Sequence, residues 1–227
     1  MIVRFGFAPR ADGLTPEQAA EHWLGTHGGL AAGLPGLRRY VQNHTVLRSG
    51  RPLLPHPGFD IFSETEFESV AAMEAAFASN LYQQAISDDE TKLIRRDRFS
   101  KALTERKVLL DGDPGEDSVK LITLLRAHPA RPREALLEAL SGPYAEAVAS
   151  LRPLRHEQLL ALPDGVHAFD AADEVWFADA EAALAHVNST AGDDAGGNLA
   201  GYVLGRERLI ARPVLVAGPR LPWPEHI

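Results

Sequence analysis

Cysteine is absent from all 227 residues, which excludes disulfides, thiolate metal sites and a cysteine nucleophile. Its absence fits a reducing compartment, and a cytoplasmic location is the expectation. No apolar run approaches the length of a membrane helix, and the opening MIVRFGFAPR lacks the apolar core of a secretory signal, so no membrane association is expected. Basic residues are outnumbered, 23 Lys and Arg against 31 Asp and Glu, for a formal charge of −8. Displacing counterions from phosphates takes a dense basic face, so a nucleic-acid partner is not expected. IRRDR and RLIAR are short clusters that read as solvated strand edges. There is no P-loop, no GxGxxG after a strand, no GxSxG elbow and no HExxH or HxxxH spacing, so neither a cofactor nor a metal is expected. AGDDAGGNLAG, from Ala191 to Gly201, is glycine-rich, but its two aspartates would repel phosphate; it reads as a loop before the last strand. What remains is a chain 45% hydrophobic and 24% charged, enough for one large domain or two small ones with proper cores.

The order of elements is written twice. Val3, Phe5 and Phe7 alternate with Arg4 and Gly6, a strand period. Thr15-Pro16-Glu17-Gln18 is a helix start, with a capping Thr, Pro at the first position and Gln three residues after the cap; Gly28 and Gly29 are expected to end or interrupt that helix. Strands follow over 37–47 and 59–67, then a helix in SVAAMEAAFASNLYQQAI and a strand in FSKALTERKVLL. The acidic DGDPGED, Asp111 to Asp117, has no apolar period and reads as a linker. Beyond it the same order recurs in VKLITLLRA, RPREALLEALSGPYAEAVASL, LRHEQLLALP, DEVWFADAEAALAHVNS and YVLGRERLIA. A shift of 110 pairs Phe59-Asp60 with Phe169-Asp170, Glu64 with Glu174 and Ser79 with Ser189. A shift of 117 pairs Leu34 with Leu151, Leu37 with Leu154 and Arg38 with Arg155. A βαββαβ unit carries both helices on one face of an antiparallel sheet and leaves the other face bare. The expected fold is therefore α+β, two ferredoxin-like βαββαβ halves packed sheet to sheet as a pseudo-dimeric barrel: residues 1–110, a linker at 111–117, and a degenerate copy at 118–227.

The first half resembles the EthD family of the dimeric α+β barrel superfamily. The matching pieces are His22-Trp23, His27 five residues on, LPGLRRY from Leu34 to Tyr40, FDIFSETEFESVAAMEAAFAS, and DDETKLIRRDRF before the last strand. The resemblance implies a small domain that acts on or binds hydrophobic organic molecules without a tightly held cofactor. The superfamily includes lactone isomerases, polyketide cyclases and dehydratases, cofactor-independent monooxygenases and haem binders, so fold does not select a chemistry. In related lactone isomerases the histidine before the LPGL-like segment shuttles a proton, and His27 holds that position. A helix C-terminal end would stabilise its imidazolium and poise it near neutrality.

Its counterpart under the 117 shift is Tyr144, a poor base near neutral pH, so one working site, in the first half, is expected. His22 lies five residues before His27. On a continuous α-helix the two would point about 140° apart, at roughly 100° per residue, so they are not expected to meet. His44 shares a strand face with Tyr40 and Gln42, a polar face that suggests either solvent or a ligand cavity. The expected catalytic residues are thus His27, His44 and His22, with Tyr40 and His44 orienting or polarising substrate. Phe7, Trp23, Phe62 and Tyr82 are expected apolar pocket residues, and Arg4 either a buried ion-pair partner, for example of Asp60, or an anchor for a carboxylate or enolate. His56 falls in a Pro-rich loop and is expected to be exposed. The leading functional expectation is proton-transfer chemistry on a small hydrophobic carbonyl, lactone or polyketide-like compound. A cofactor-free or haem-dependent monooxygenase and a non-catalytic small-molecule binder are the alternatives, in a monomeric pseudo-dimer or a homodimer.

Overall fold

The computed structural model describes residues 1–219, apart from the side chain of Asp194; residues 220–227, the end of the expected second half, lie outside the described residues. The first repeat of the expected order comprises β1 (Ile2–Ala8), α1 (Pro16–His22), a π-helical turn at Trp23–His27, α2 (Gly28–Ala31) and β2 (Arg39–Thr45). A small hairpin of β3 (Leu47–Arg48) and β4 (Arg51–Pro52) follows. The repeat closes with β5 (Ile61–Phe67), α3 (Val70–Phe77), a second π turn at Tyr82–Ile86, α4 (Ser87–Leu93) and β6 (Ser100–Leu110). The second comprises β7 (Val119–Ala127), α5 (Arg133–Ala139), a π turn at Leu140–Tyr144, α6 (Ala145–Ser150), β8 (Arg155–Ala161), β9 (Ala171–Phe177), α7 (Ala180–Val187), α8 (Thr190–Gly197) and β10 (Val203–Ala217). Among the described residues eight strands close a barrel in the order β1-β5-β2-β10-β7-β9-β8-β6, the α+β barrel that the repeated order implies.

The described residues divide into two compact units, one of residues 1–44, 58–104 and 213–219, the other of 45–57 and 105–212. In the first, β1 pairs with β5 and β6, and β2 with β5, all antiparallel. In the second, β7 pairs with β9 and β10, and β8 with β9, again antiparallel. Both units thus repeat one strand order. Alternation along β1 sends Val3, Phe5 and Phe7 opposite Glu66, Glu64 and Phe62, while Arg4, Gly6 and Ala8 share a face with Thr65, Ser63 and Ile61.

Hydrogen bonds repeat as well as residues. The Asp60 amide donates to Ala8 O at 3.0 Å and its carboxylate accepts from the Arg10 amide at 3.0 Å. The Asp170 amide donates to Leu125 O at 2.8 Å, and its carboxylate accepts from the Ala127 amide at 2.7 Å. Ser79 and Ser189 each donate to a carbonyl three residues back and accept from an amide three residues on. Two sequence pairings are corrected. Arg39 stands opposite Glu66 and Arg155 opposite Trp176, so Arg39, not Arg38, matches Arg155. The amides of Arg38 and Leu154 donate to Glu66 O and Trp176 O, so Arg38, not Leu37, matches Leu154. The stretch from the end of the π turn to the strand is one residue shorter before β8 than before β2, which drops the offset from 117 to 116 on these strands.

Local chemistry explains the starts of the helices. Thr15 Oγ1 accepts from the Gln18 amide at 3.2 Å, and Gln18 Oε1 accepts from the Thr15 amide at 2.9 Å, a reciprocal cap with Pro16 at the first turn. Gly28 and Gly29 do not end the helix, which runs on to Ala31. Ala191–Gly201 is not wholly a loop: α8 covers Thr190–Gly197, because Ser189 caps it by accepting from the Gly192 amide at 2.9 Å.

Candidate active site

The first unit holds a cavity between the Arg4–Gly6–Ala8 face of its sheet and the helices α1–α2 and α4. Its volume is about 50 Å³, and about 540 Å³ of empty space when the open solvent at its mouth is included. His27, Tyr40 and Arg4 line it together with Trp23 and Tyr82; Phe7 borders it, but its ring lies on the opposite sheet face with Phe62. Phe62 does not line it: it is fully buried on the opposite sheet face, against Phe7 and Phe59. His44 stands behind the wall, its ring 4.6 Å from Trp23 and its Nε2 donating to Gln42 Oε1 at 2.8 Å. Burial brings the His44 pKa down to about 4, so the ring is neutral at neutral pH. His56 is exposed.

His22 and His27 meet on one carboxylate. His22 Nε2 lies 2.8 Å from Asp89 Oδ1 and His27 Nδ1 lies 3.0 Å from Asp89 Oδ2. The expectation that they point apart fails because Trp23–His27 is π-helical. With hydrogen bonds running i→i+5, residues five apart stack on one side of the helix. A strand residue braces this turn: Gln42 Nε2 donates to Trp23 O at 2.7 Å, and the same carbonyl accepts from the Gly28 amide. A side chain inserted into the ladder is one of the recognised causes of such an irregularity.

His27 therefore lies within the helix rather than at its end, and the macrodipole argument for a stabilised imidazolium does not apply. Burial lowers its pKa below the usual histidine value, partly offset by the hydrogen bond and charge of Asp89. The ring is neutral at neutral pH. A carboxylate only accepts, so Nδ1 carries the proton and Nε2 keeps its lone pair. That is the tautomer a general base requires. His22 does not line the cavity; it holds the other oxygen of Asp89 and so fixes the carboxylate that fixes His27.

Tyr40 is placed by a similar count. Its hydroxyl oxygen accepts from Trp23 Nε1 at 2.9 Å and from Gln42 Nε2 at 3.0 Å. Both lone pairs are used, so its own hydrogen is left to donate. Burial raises the phenol pKa to about 12 and keeps that hydrogen on. Tyr82, also raised to about 12 by burial and then by Glu90, donates to Glu90 at 3.1 Å. Ser63 and Thr65 line the cavity too, but their hydroxyls donate to Gly6 O and Arg4 O.

Sequence reasoning missed Asp89. It sits in DDETK, within the stretch that carries the family resemblance, but Asp88 beside it is exposed and pairs with Lys92. The signal was helical spacing. Ile86, Asp89 and Leu93 are all buried at i, i+3 and i+7, so Asp89 occupies a position on an apolar stripe. Asp60 is engaged by Arg10, and the Arg4 guanidinium lies instead over the rings of Phe77 and Phe99, at 4.5 and 4.9 Å.

Residues 11–97 match the model of the EthD domain, and no curated protein matches the chain. Among solved structures, an anthrone oxidase-like protein superposes with a TM-score of 0.70 at 13% identity, over 98% of this chain and 96% of its own. A protein from Lactobacillus acidophilus NCFM, named as a candidate monooxygenase, gives 0.58 at 13% identity over 95% and 94%. A variant chlorite dismutase from Candidatus Nitrospira defluvii gives 0.52 at 9% identity over 95% and 91%. At these identities the likeness is one of fold. His22, Trp23, His27, Tyr40, Tyr82 and Asp89 all fall within the stretch that matches the EthD domain, residues 11–97 of a chain folded as an α+β barrel.

Proposed function

We propose that the first half of the chain is an enzyme that moves a proton on a small, largely apolar carbonyl compound, in an isomerisation, cyclisation or dehydration, and that the second half is a copy without a working site. The observation that carries this reading is the His27–Asp89 hydrogen bond at 3.0 Å, beside a cavity that His27 lines. Asp89 holds Nδ1–H, leaving Nε2 to take a proton from carbon next to the carbonyl. The Tyr40 hydroxyl donates to the oxygen on which negative charge then develops; it is worth most in such a dry pocket. Reprotonation by the same Nε2 at another carbon completes an isomerisation without any net gain or loss of protons. The apolar walls, Trp23 and Ile61 among them, suit a hydrophobic substrate, which is the small-molecule partner proposed.

The deciding experiment is solvent-deuterium exchange at the α-carbon of a panel of cyclic ketones and lactones, wild type against His27→Gln. A base of this kind contributes about 10²- to 10⁴-fold, so exchange should fall by that order while the circular dichroism spectrum is unchanged. Equal exchange rates would remove His27 from the chemistry. The names of two structural neighbours support a second reading on the same residues, in which the carbanion formed by His27 is oxidised by molecular oxygen. Oxygen consumption coupled to substrate loss separates it from isomerisation.

A further inference from the structure

The guanidinium of Arg4 lies over two aromatic rings, Phe77 at 4.5 Å and Phe99 at 4.9 Å. Gly6, two residues on along the same face of β1, makes the room: a methyl there would stand 3.2 Å from an Arg4 nitrogen, 3.1 Å from the Phe99 ring and 3.1 Å from Ser63 Oγ. Among the described residues no acceptor lies within hydrogen-bonding distance of the Arg4 N–H groups, although Arg4 lines the cavity. Burial pulls its pKa down, and the charges that face it are Glu90 and, when ionised, Tyr82 and Tyr40. Lys101 adds a second positive charge close enough for Arg4 to lower its pKa. Glu90 is already held by the Tyr82 hydroxyl at 3.1 Å and by Arg96 at 3.6 Å. A guanidinium in a partly dry site with unused donors needs an acceptor, and its planar fork matches the two oxygens of a carboxylate.

We propose that the substrate is a planar organic acid whose carboxylate is held edge-on by Arg4, its flat body lying against the aromatic walls. The inference rests on the cavity being the site proposed above. It assigns Arg4 to recognition, leaving the developing oxyanion to Tyr40 and the proton to His27. In the second unit the matching position is Leu121, by the 117 offset that pairs Phe5 with Ile122 opposite Glu64 and Glu174, so the anion site, like the base, belongs to one half only.

Benzoate and its neutral isostere benzamide are the probes, titrated calorimetrically into the full-length wild type. A charge-assisted contact of this kind is worth about tenfold to a hundredfold in affinity, so benzoate should bind more tightly than benzamide by that factor. Arg4→Met, which keeps an unbranched side chain beside Phe77 and Phe99 and removes the charge, should remove the preference. If benzamide equals benzoate on the wild type, the proposal fails, whatever the variant does. His27→Gln separates the two ideas: it should still prefer benzoate, because binding does not need the base. Loss of exchange in His27→Gln with no benzoate preference in the wild type would leave the proton-transfer reading standing and overturn the carboxylate. A benzoate preference with exchange unchanged in His27→Gln would do the opposite.

Discussion

The two halves place a polar cluster at the same corner of the same fold and use it in opposite ways. In the first half the π turn presents His27 to an aspartate on a neighbouring helix, and among the described residues the other ring nitrogen has no partner at the edge of a cavity. In the second, the π turn Leu140–Tyr144 presents Tyr144 to an aspartate on the sheet. Asp173 accepts from Tyr144 at 2.9 Å, from His156 at 2.7 Å and from Gln158 at 3.2 Å. The brace is shared, since Gln158 Nε2 donates to Leu140 O at 2.9 Å as Gln42 does to Trp23 O. Only the direction of the polar groups differs. Where every donor ends on a buried acceptor, the cluster stabilises the fold and nothing is left to react. Where the count leaves one lone pair and one hydroxyl hydrogen over, the same corner can do chemistry.

The contrast breaks first at Asp173. Asp173→Ala strands three buried donors, and about 3 kcal/mol of stability should be lost in urea unfolding. Turnover measured on the folded protein should be unchanged; a fall in turnover without a fall in stability would mean that the second cluster also reaches a substrate. Next comes Asp89→Asn, which keeps the size and removes the charge. Exchange should fall by about tenfold to a hundredfold, and the acid limb of the pH–rate profile should move. In the wild type that limb lies below the ordinary histidine pKa of about 6.5, because burial depresses His27 and only its neutral form is a base. Without the Asp89 charge the limb should shift to still lower pH. A lower rate at an unmoved limb would make Asp89 structural only.

The smallest effect concerns His44, which the second half replaces with Leu160 at the 116 offset. The folded pKa of His44 is depressed to about 4, so the unfolded chain binds the extra proton first as pH falls. Its contribution is present above about pH 6.5 and is lost on the way down to about pH 4, by at most a few kcal/mol. His44→Leu should flatten the stability–pH curve in that window. An identical slope in the variant would assign the loss to other groups.

Much of the fold was legible because it depends on periods and caps. The alternation of Val3, Phe5 and Phe7, the Thr15–Gln18 cap and the repeated Phe-Asp pairs are local patterns, and each has its expected partner. The site was legible only in part. His27, Tyr40, Trp23, Tyr82 and Arg4 border one cavity, whereas the rings of Phe7 and Phe62 and the side chain of His44 do not face it. Phe62 alternates onto the other sheet face, and His44 is screened by the indole of Trp23. The geometry of His22 and His27 was misread for a physical reason: a period of 3.6 was assumed through a segment held at i→i+5 by Gln42, a strand residue far along the chain. Nothing local to EHWLGTH announces that brace. Asp89 was hidden by its neighbour Asp88, because adjacent identical residues on a helix face different surroundings.

The π turn is common to both halves, at Trp23–His27 and at Leu140–Tyr144, each five residues long. Residue count therefore does not separate the two corners; the side chain at the last position of the turn does. With hydrogen bonds running i→i+5 that position stacks over the residue before the turn, and it carries His27 in one half and Tyr144 in the other. One codon at one backbone device thus decides whether the corner offers a free imidazole nitrogen or a phenol committed to the interior, a lineage-level route to gain or silence a site while the barrel stays the same.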